Sequence, residues 1–299
     1  MQQTWKVLAP IDLADDPEAA VEHAIHAANA VDAELTLLYV ASQRQPAGDN
    51  RLGWPQNALT AGRTPHGIRR RVLPGKPAEM IVRYAELSDA DVILMASENC
   101  GGWKRFWKHS VTAEVMASSL RPLWIIDWKA VEDDFHFKCR TILCVLNLDG
   151  TDKQVVRQAE SLALRSGGEL ILASAVPESG EHLLHEAIGG SNRPLSAQLV
   201  LERLGAIGGG LSVPYKTSVM AGSLNRCARL AAHQHSADIV VASSAEPRSM
   251  STNAFDIRSG LRQLPCPVVA VPHNSSAARR RQIAMAEEPV LSKVANFRR

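Results

Sequence analysis

Short apolar runs alternate with amphipathic stretches along this chain, and the alternation occurs twice. Val7-Leu8-Ala9-Pro10-Ile11-Asp12 is an apolar run that ends in a hydrogen-bonding side chain, and Ile142-Leu143-Cys144-Val145-Leu146-Asn147 repeats it in kind. Each run predicts a strand followed by a turn and a helix. Val21, Ala24, Ile25, Ala28 and Val31 share one helical face, as do Val155, Val156, Ala159, Leu162 and Ala163. Asp15 or Asp16 ahead of Pro17 suits the cap of the first helix, and Thr151 suits that of the second. Glu34–Val40 and Glu169–Ala175 lack polar alternation, the pattern of parallel strands buried on both faces. Gly75-Lys76-Pro77 opens a helix to about Leu87, and Gly222-Ser223-Leu224 opens one to about His235. Asp91–Ser97 then matches Asp238–Ser244, and a helix and a last strand close each half, at Pro122–Asp127 and Pro267–Val271.

The register describes two copies of one strand–helix unit, each about 130 residues long. Alternating strands and helices predict an open parallel five-stranded sheet in each copy, flanked by helices on both faces. The expected layout is a first domain over 1–128, a linker over 129–139, a second domain over 140–273 and a basic tail over 274–299. The offset between matched positions grows from about 135 to about 147, which places an insertion near 178–210 of the second copy. Leu183, Leu184, Ile188, Leu199, Leu201 and Leu204 make that insertion a candidate surface for protein partners or self-association.

Composition narrows the class. The 299 residues are 45% hydrophobic and 21% charged, enough for two cores without disulfide or metal support. Net charge is +2, and the tail, with Arg279-Arg280-Arg281, carries about +4, so the folded halves are slightly acidic and nucleic acid is not an expected partner. Five cysteines without a Cys-x-x-Cys pair, and a start at Met1–Lys6 unlike a signal peptide, point to a reducing cytoplasm. Val92–Ala96 and Ile239–Ala242 fall far short of the ~20 residues that span a bilayer, so no membrane is expected.

Pro10-Ile11-Asp12 after the first strand, Gly75-Lys76-Pro77-Ala78 before a helix and Pro265-Cys266-Pro267-Val268 before the last strand together resemble the universal stress proteins. The resemblance runs over nearly the whole chain twice. It implies a tandem member with the adenine nucleotide alpha hydrolase-like fold, joined as a pseudo-dimer through pairing of Leu123–Asp127 with Pro267–Val271. It also implies a site: an Asp after the first strand on the adenine side, and a Gly-x2-Gly-x9-Gly-Ser/Thr loop after the fourth that cradles phosphates. Glycines let the backbone approach phosphate, and amides at a helix start attract it. On this basis Pro10, Asp12, Val40 and Ser110 are the candidate nucleotide contacts of the first half. Ala96, Asn99 and His109 stand where the glycines belong. In the second half Ala242, Ala245 and Ala254 replace the glycines, Phe255 the hydroxyl and Asn147 the Asp. The expectation is therefore a non-catalytic stress-response interaction or regulatory module with a degenerate nucleotide site and no cofactor. ATP held by the first half alone is the alternative.

Other candidate chemistry is thin. Trp103 to His109 interleaves aromatic and cationic residues, which packing against the domain explains better than nucleic acid. Arg69-Arg70-Arg71 reads as a solvated edge strand. His182-Leu183-Leu184-His185-Glu186 lacks the His-Glu-x-x-His order of a zinc helix, and no metal is expected. Cys144, Cys227 and Cys266 sit in apolar patterns, whereas Cys100 lies beside cations as a candidate reactive thiol. His233 and His235 suit a helix end, where a cationic ring meets the dipole favourably. No Walker loop, Gly-x-Ser-x-Gly elbow or nucleophile–base pair is present, so no catalytic residue is assigned.

Overall fold

The computed structural model describes residues 4–13, 16–41, 54, 64, 66–96, 110–126, 138–150, 152–176, 196–244 and 254–272. The first half runs β1 (Trp5–Pro10), α1 (Pro17–Ala30), β2 (Ala33–Ala41), β3 (Ile68–Pro74), α2 (Pro77–Leu87), β4 (Val92–Ala96), α3 (Val111–Ser118) and β5 (Leu123–Ile126). The second runs β6 (Thr141–Val145), α4 (Lys153–Ser166), β7 (Glu169–Val176), α5 (Ala197–Gly208), β8 (Tyr215–Ala221), α6 (Leu224–Gln234), β9 (Ile239–Ser243), α7 (Ile257–Gln263) and β10 (Val268–Val271).

All ten strands form one sheet, in the order β3-β2-β1-β4-β5-β10-β9-β6-β7-β8. Within each half every pairing is parallel. The halves meet at one antiparallel seam, where Val268, Val269 and Ala270 lie opposite Ile125, Trp124 and Leu123. This is the last-strand pairing expected from the resemblance.

Strand periodicity sends alternate residues to opposite faces. Val7 and Ala9 pack on one side with α1, and Ile142 and Cys144 extend the same layer toward α4 and α5. Leu8, Leu143 and Val145 turn the other way, to the layer of α2, α3, α6 and α7. Each layer is continuous across the seam, and Trp124, fully buried, lies in the first. The predicted helical faces of α1 and α4 are buried at Val21, Ala24, Ile25, Ala28, Val155, Ala159, Leu162 and Ala163.

The two copies repeat small devices as well as elements. Asp91, just before β4, accepts from the Lys6 amide at 2.8 Å and donates its own amide to the Lys6 carbonyl at 2.9 Å. Asp238, before β9, holds the Arg140 and Thr141 amides at 2.9 and 2.8 Å. Gly75 and Gly222 turn the chain into α2 and α6 at φ +148° and +127°, left-handed conformations that suit glycine.

Two expectations are corrected. The proposed insertion is in part an ordinary layer helix: Val200 and Leu204 of α5 are fully buried, because residues four apart face the sheet, and only Leu201 among the named leucines is exposed there. Leu183, Leu184 and Ile188 lie outside the described residues. The cap of α4 is Asp152, whose carboxylate turns away from the helix to other partners; Thr151 lies outside the described residues. Asp16 does cap α1, accepting from the Ala19 amide at 3.3 Å. Arg69, Arg70 and Arg71 are exposed on β3 at one end of the sheet, as expected of an edge strand. Among the described residues no helix is long and apolar enough to cross a membrane.

Candidate functional site

In an open parallel sheet, ligands bind beyond the carboxyl ends of the strands where strand order reverses. That point lies between β1 and β4 in the first half and between β6 and β9 in the second.

The first switch point is bordered by the candidate residues. Pro10 ends β1 opposite Leu38, so β2 continues three residues further and carries the half-buried Val40 beyond the end of its neighbour. Asp12 follows two residues after Pro10 and is exposed. Ser110 caps α3, its hydroxyl accepting from the Ala113 amide at 3.1 Å. The hydroxyl therefore sits at the entry of an eight-residue helix, where the first amides are directed. Ala96 ends β4. Asn99, Cys100 and the segment from Trp103 to His109 lie outside the described residues.

At the second switch point the same positions bond to one another. The Asn147 Oδ1, in the place of the Asp, accepts from the Phe255 amide at 3.0 Å. Phe255, aligned with the hydroxyl residue in the sequence, is 1% exposed, but the cap of α7, the structural counterpart of Ser110, is the next residue, Asp256, whose carboxylate accepts from the Arg258 amide at 3.0 Å. The Phe255 ring sits against Gly260 of α7 so closely that a Cβ there would lie 2.4 Å from the ring. The next residue is tied from another element: Asn225 of α6 accepts from the Asp256 amide at 2.8 Å and donates to its carbonyl at 2.7 Å. The first half has Ala78 at the position of Asn225, so this clasp belongs to the second half alone.

A buried carboxylate supports the clasp from below. Asp152 is 7% exposed, and its two oxygens accept from the Asn147 and Leu148 amides at 2.9 and 2.8 Å. Burial pushes its pKa up to about 6, although both amide bonds pull it down. Leu148 is held at φ +57°, a costly conformation for a branched side chain, in a turn those bonds define. Ser244 closes the far side, its amide donating to the Val271 carbonyl at 2.9 Å.

Sequence reasoning noticed Asn147 and Phe255 as separate departures and missed that they are bonded partners. The spacing Asn147 to Asp152, with Gly150 between them, was the available signal of a turn held by a carboxylate. Cys144 and Cys227 are buried as expected, and Cys266 is half-buried. Burial pushes the Cys266 thiol up to about 12, which keeps it unreactive. His233 and His235 do sit at the end of α6.

A family model for the universal stress protein family matches residues 5–127. No curated protein sequence matches the chain. Among solved structures, a universal stress protein from Archaeoglobus fulgidus DSM 4304 is 17% identical with a TM-score of 0.62, over 91% of this chain and 99% of that one. A functionally unknown protein from Pseudomonas aeruginosa PAO1 is 13% identical with a TM-score of 0.61, over 95% and 98%. A universal stress protein from Archaeoglobus fulgidus in complex with dAMP covers 42% of this chain and 100% of its own, at 20% identity and a TM-score of 0.29. Residues 5–127 thus carry the sequence likeness to the universal stress protein family, and the two halves together share the fold of the two larger solved structures.

Proposed function

We propose that the chain is a non-catalytic interaction or regulatory module of the stress response, in which the second half is a scaffold copy that takes no nucleotide. The observation that carries this reading is the Asn147–Phe255 clasp. The carboxylate that would face an adenine is replaced by an amide already bonded within the protein, and the helix entry that would meet phosphate is capped by the Asp256 carboxylate, with the buried Phe255 just before it. Opening that site means exposing Phe255, which costs about 1.5–3 kcal/mol in transfer free energy alone. It also means breaking the Asn147 bond and those from Asn225.

A second reading is favoured by the first half. Exposed Asp12 and the capping Ser110 border a switch point with no counterpart of the Asn225 clasp. They support an adenine-nucleotide sensor acting through that half, with Pro10 and Val40 shaping the base side. Calorimetric titration with ATP, AMP and cyclic AMP separates the readings. Sub-millimolar binding that Asp12→Ala abolishes establishes the sensor. Absence of heat and of thermal shift with all three leaves the module.

A further inference from the structure

The internal repeat supplies a control for asking which surface residues the fold requires. β3 and β8 are the two ends of the ten-stranded sheet, and each pairs on one side only among the described residues. At the matched position, Arg69 of β3 bonds Glu34 of β2 through Nη1 at 3.2 Å, and Lys216 of β8 bonds Glu169 of β7 through Nζ at 2.9 Å. A cation opposite a glutamate is therefore what both copies use to steady an edge strand.

The next two positions differ. The second half has Thr217, and Ser218 at 8% exposure, whereas the first half has Arg70 and Arg71, both exposed. The fold is built in one copy without those charges, so the edge alone does not account for them. Arg71 folds back so that Nη1 donates to the Arg70 carbonyl at 2.9 Å, an exposed contact that an added strand using this carbonyl displaces, freeing the guanidinium. Strand alternation sends Arg70 to one face of the sheet and Arg71 to the other, so the edge is positively charged above and below the row of backbone groups.

We infer that the free edge of β3 is a docking strand for an extended acidic polypeptide segment, which adds to the sheet by backbone hydrogen bonds and is selected by Arg70 and Arg71. Backbone pairing supplies affinity and side chains on alternate faces supply selectivity, the division of labour in strand addition. A carboxylate on each face of the added strand meets a guanidinium, whose fork matches it in two bonds. A second copy of this chain does not fit, because β3 against β3 would set arginines against arginines. A nucleic acid would use the charge but not the strand edge.

The test is fluorescence anisotropy of a labelled nine-residue peptide of valines and adjacent glutamate pairs, which places carboxylates on both faces of a strand, titrated with the full chain. A second peptide carries proline at its centre, and labelled oligo-dT is a third probe. Arg70→Thr/Arg71→Ser installs the residues of the second copy, and circular dichroism verifies that it is folded. The inference expects saturable binding of the paired-glutamate peptide, weakened at least tenfold by the double substitution and by the central proline. Absence of binding, equal binding of the proline peptide, equal or tighter binding of oligo-dT, or an unchanged affinity in the double variant each overturns it.

Discussion

Gly260→Ala tests the filled state of the second switch point at a single contact. In a bare helix the change is favourable by up to about 1 kcal/mol, because alanine is the better helix former. Here the new Cβ would lie 2.4 Å from Phe255 Cζ and 3.1 and 3.2 Å from Cε1 and Cε2. The ring must move by about an ångström. It cannot turn outward freely, since Phe255 is 1% exposed and its amide is held by Asn147 at 3.0 Å. Overpacking of this kind costs about 1–3 kcal/mol, which outweighs the propensity gain. We expect Gly260→Ala to destabilise the wild-type chain by about 1–2 kcal/mol and to stabilise a Phe255→Ala background by up to 1 kcal/mol, a coupling near 2 kcal/mol. Urea unfolding followed by circular dichroism measures all four corners of the cycle. Tryptophan fluorescence separates the halves, because all six tryptophans lie within residues 1–128. A Gly260→Ala chain as stable as wild type, or additive effects across the cycle, would refute the packing assigned to Phe255.

Further expectations concern charge and the seam. Asp152 holds its proton to about pH 6 when folded, against 3.8 for a free aspartate, so between these values the native state binds more protons and stability falls as pH rises. The loss is of order 2–3 kcal/mol. In Asp152→Asn that slope disappears, so its deficit relative to wild type, read by thermal unfolding, should be larger at pH 4 than at pH 7; a deficit that grows with pH contradicts the assignment. Arg165 of α4 lies 5.4 Å from the Trp5 ring of β1, across the seam. Arg165→Ala should cost about 0.5–2 kcal/mol and change the tryptophan emission; an unaltered spectrum and midpoint would count against the contact. Residues 1–128 co-expressed with 138–273 should elute as a 1:1 complex, because the seam pairs β5 with β10 and both core layers run through it. Elution as separate species would contradict the continuous core.

What was legible in the sequence is what depends on local pattern. Val7, Leu8 and Ala9 announce a buried strand because consecutive apolar residues face opposite layers, and the repeat at Ile142 doubles the evidence. The edge character of Arg69–Arg71 was equally local. The closing of the second switch point was not, because Asn147 and Phe255 are 108 residues apart and a substitution does not reveal its partner. Asp152 was hidden for another reason: an acidic residue before a helix reads as a cap, and only the turn at Leu148 turns its carboxylate back to amides at 147 and 148. The length offset misled too, since it assigned all of 178–210 to an insertion although Val200 and Leu204 of α5 are buried in the layer.

The central claim is that the second half cannot accept a nucleotide, and the most direct measurement is a calorimetric titration of the Asp12→Ala chain with ATP. With the first half disabled and the Asn147–Phe255 clasp intact, the account predicts no binding heat at millimolar ATP. A saturable isotherm near one nucleotide per chain, surviving Asp12→Ala and changed by Asn147→Ala, would contradict it.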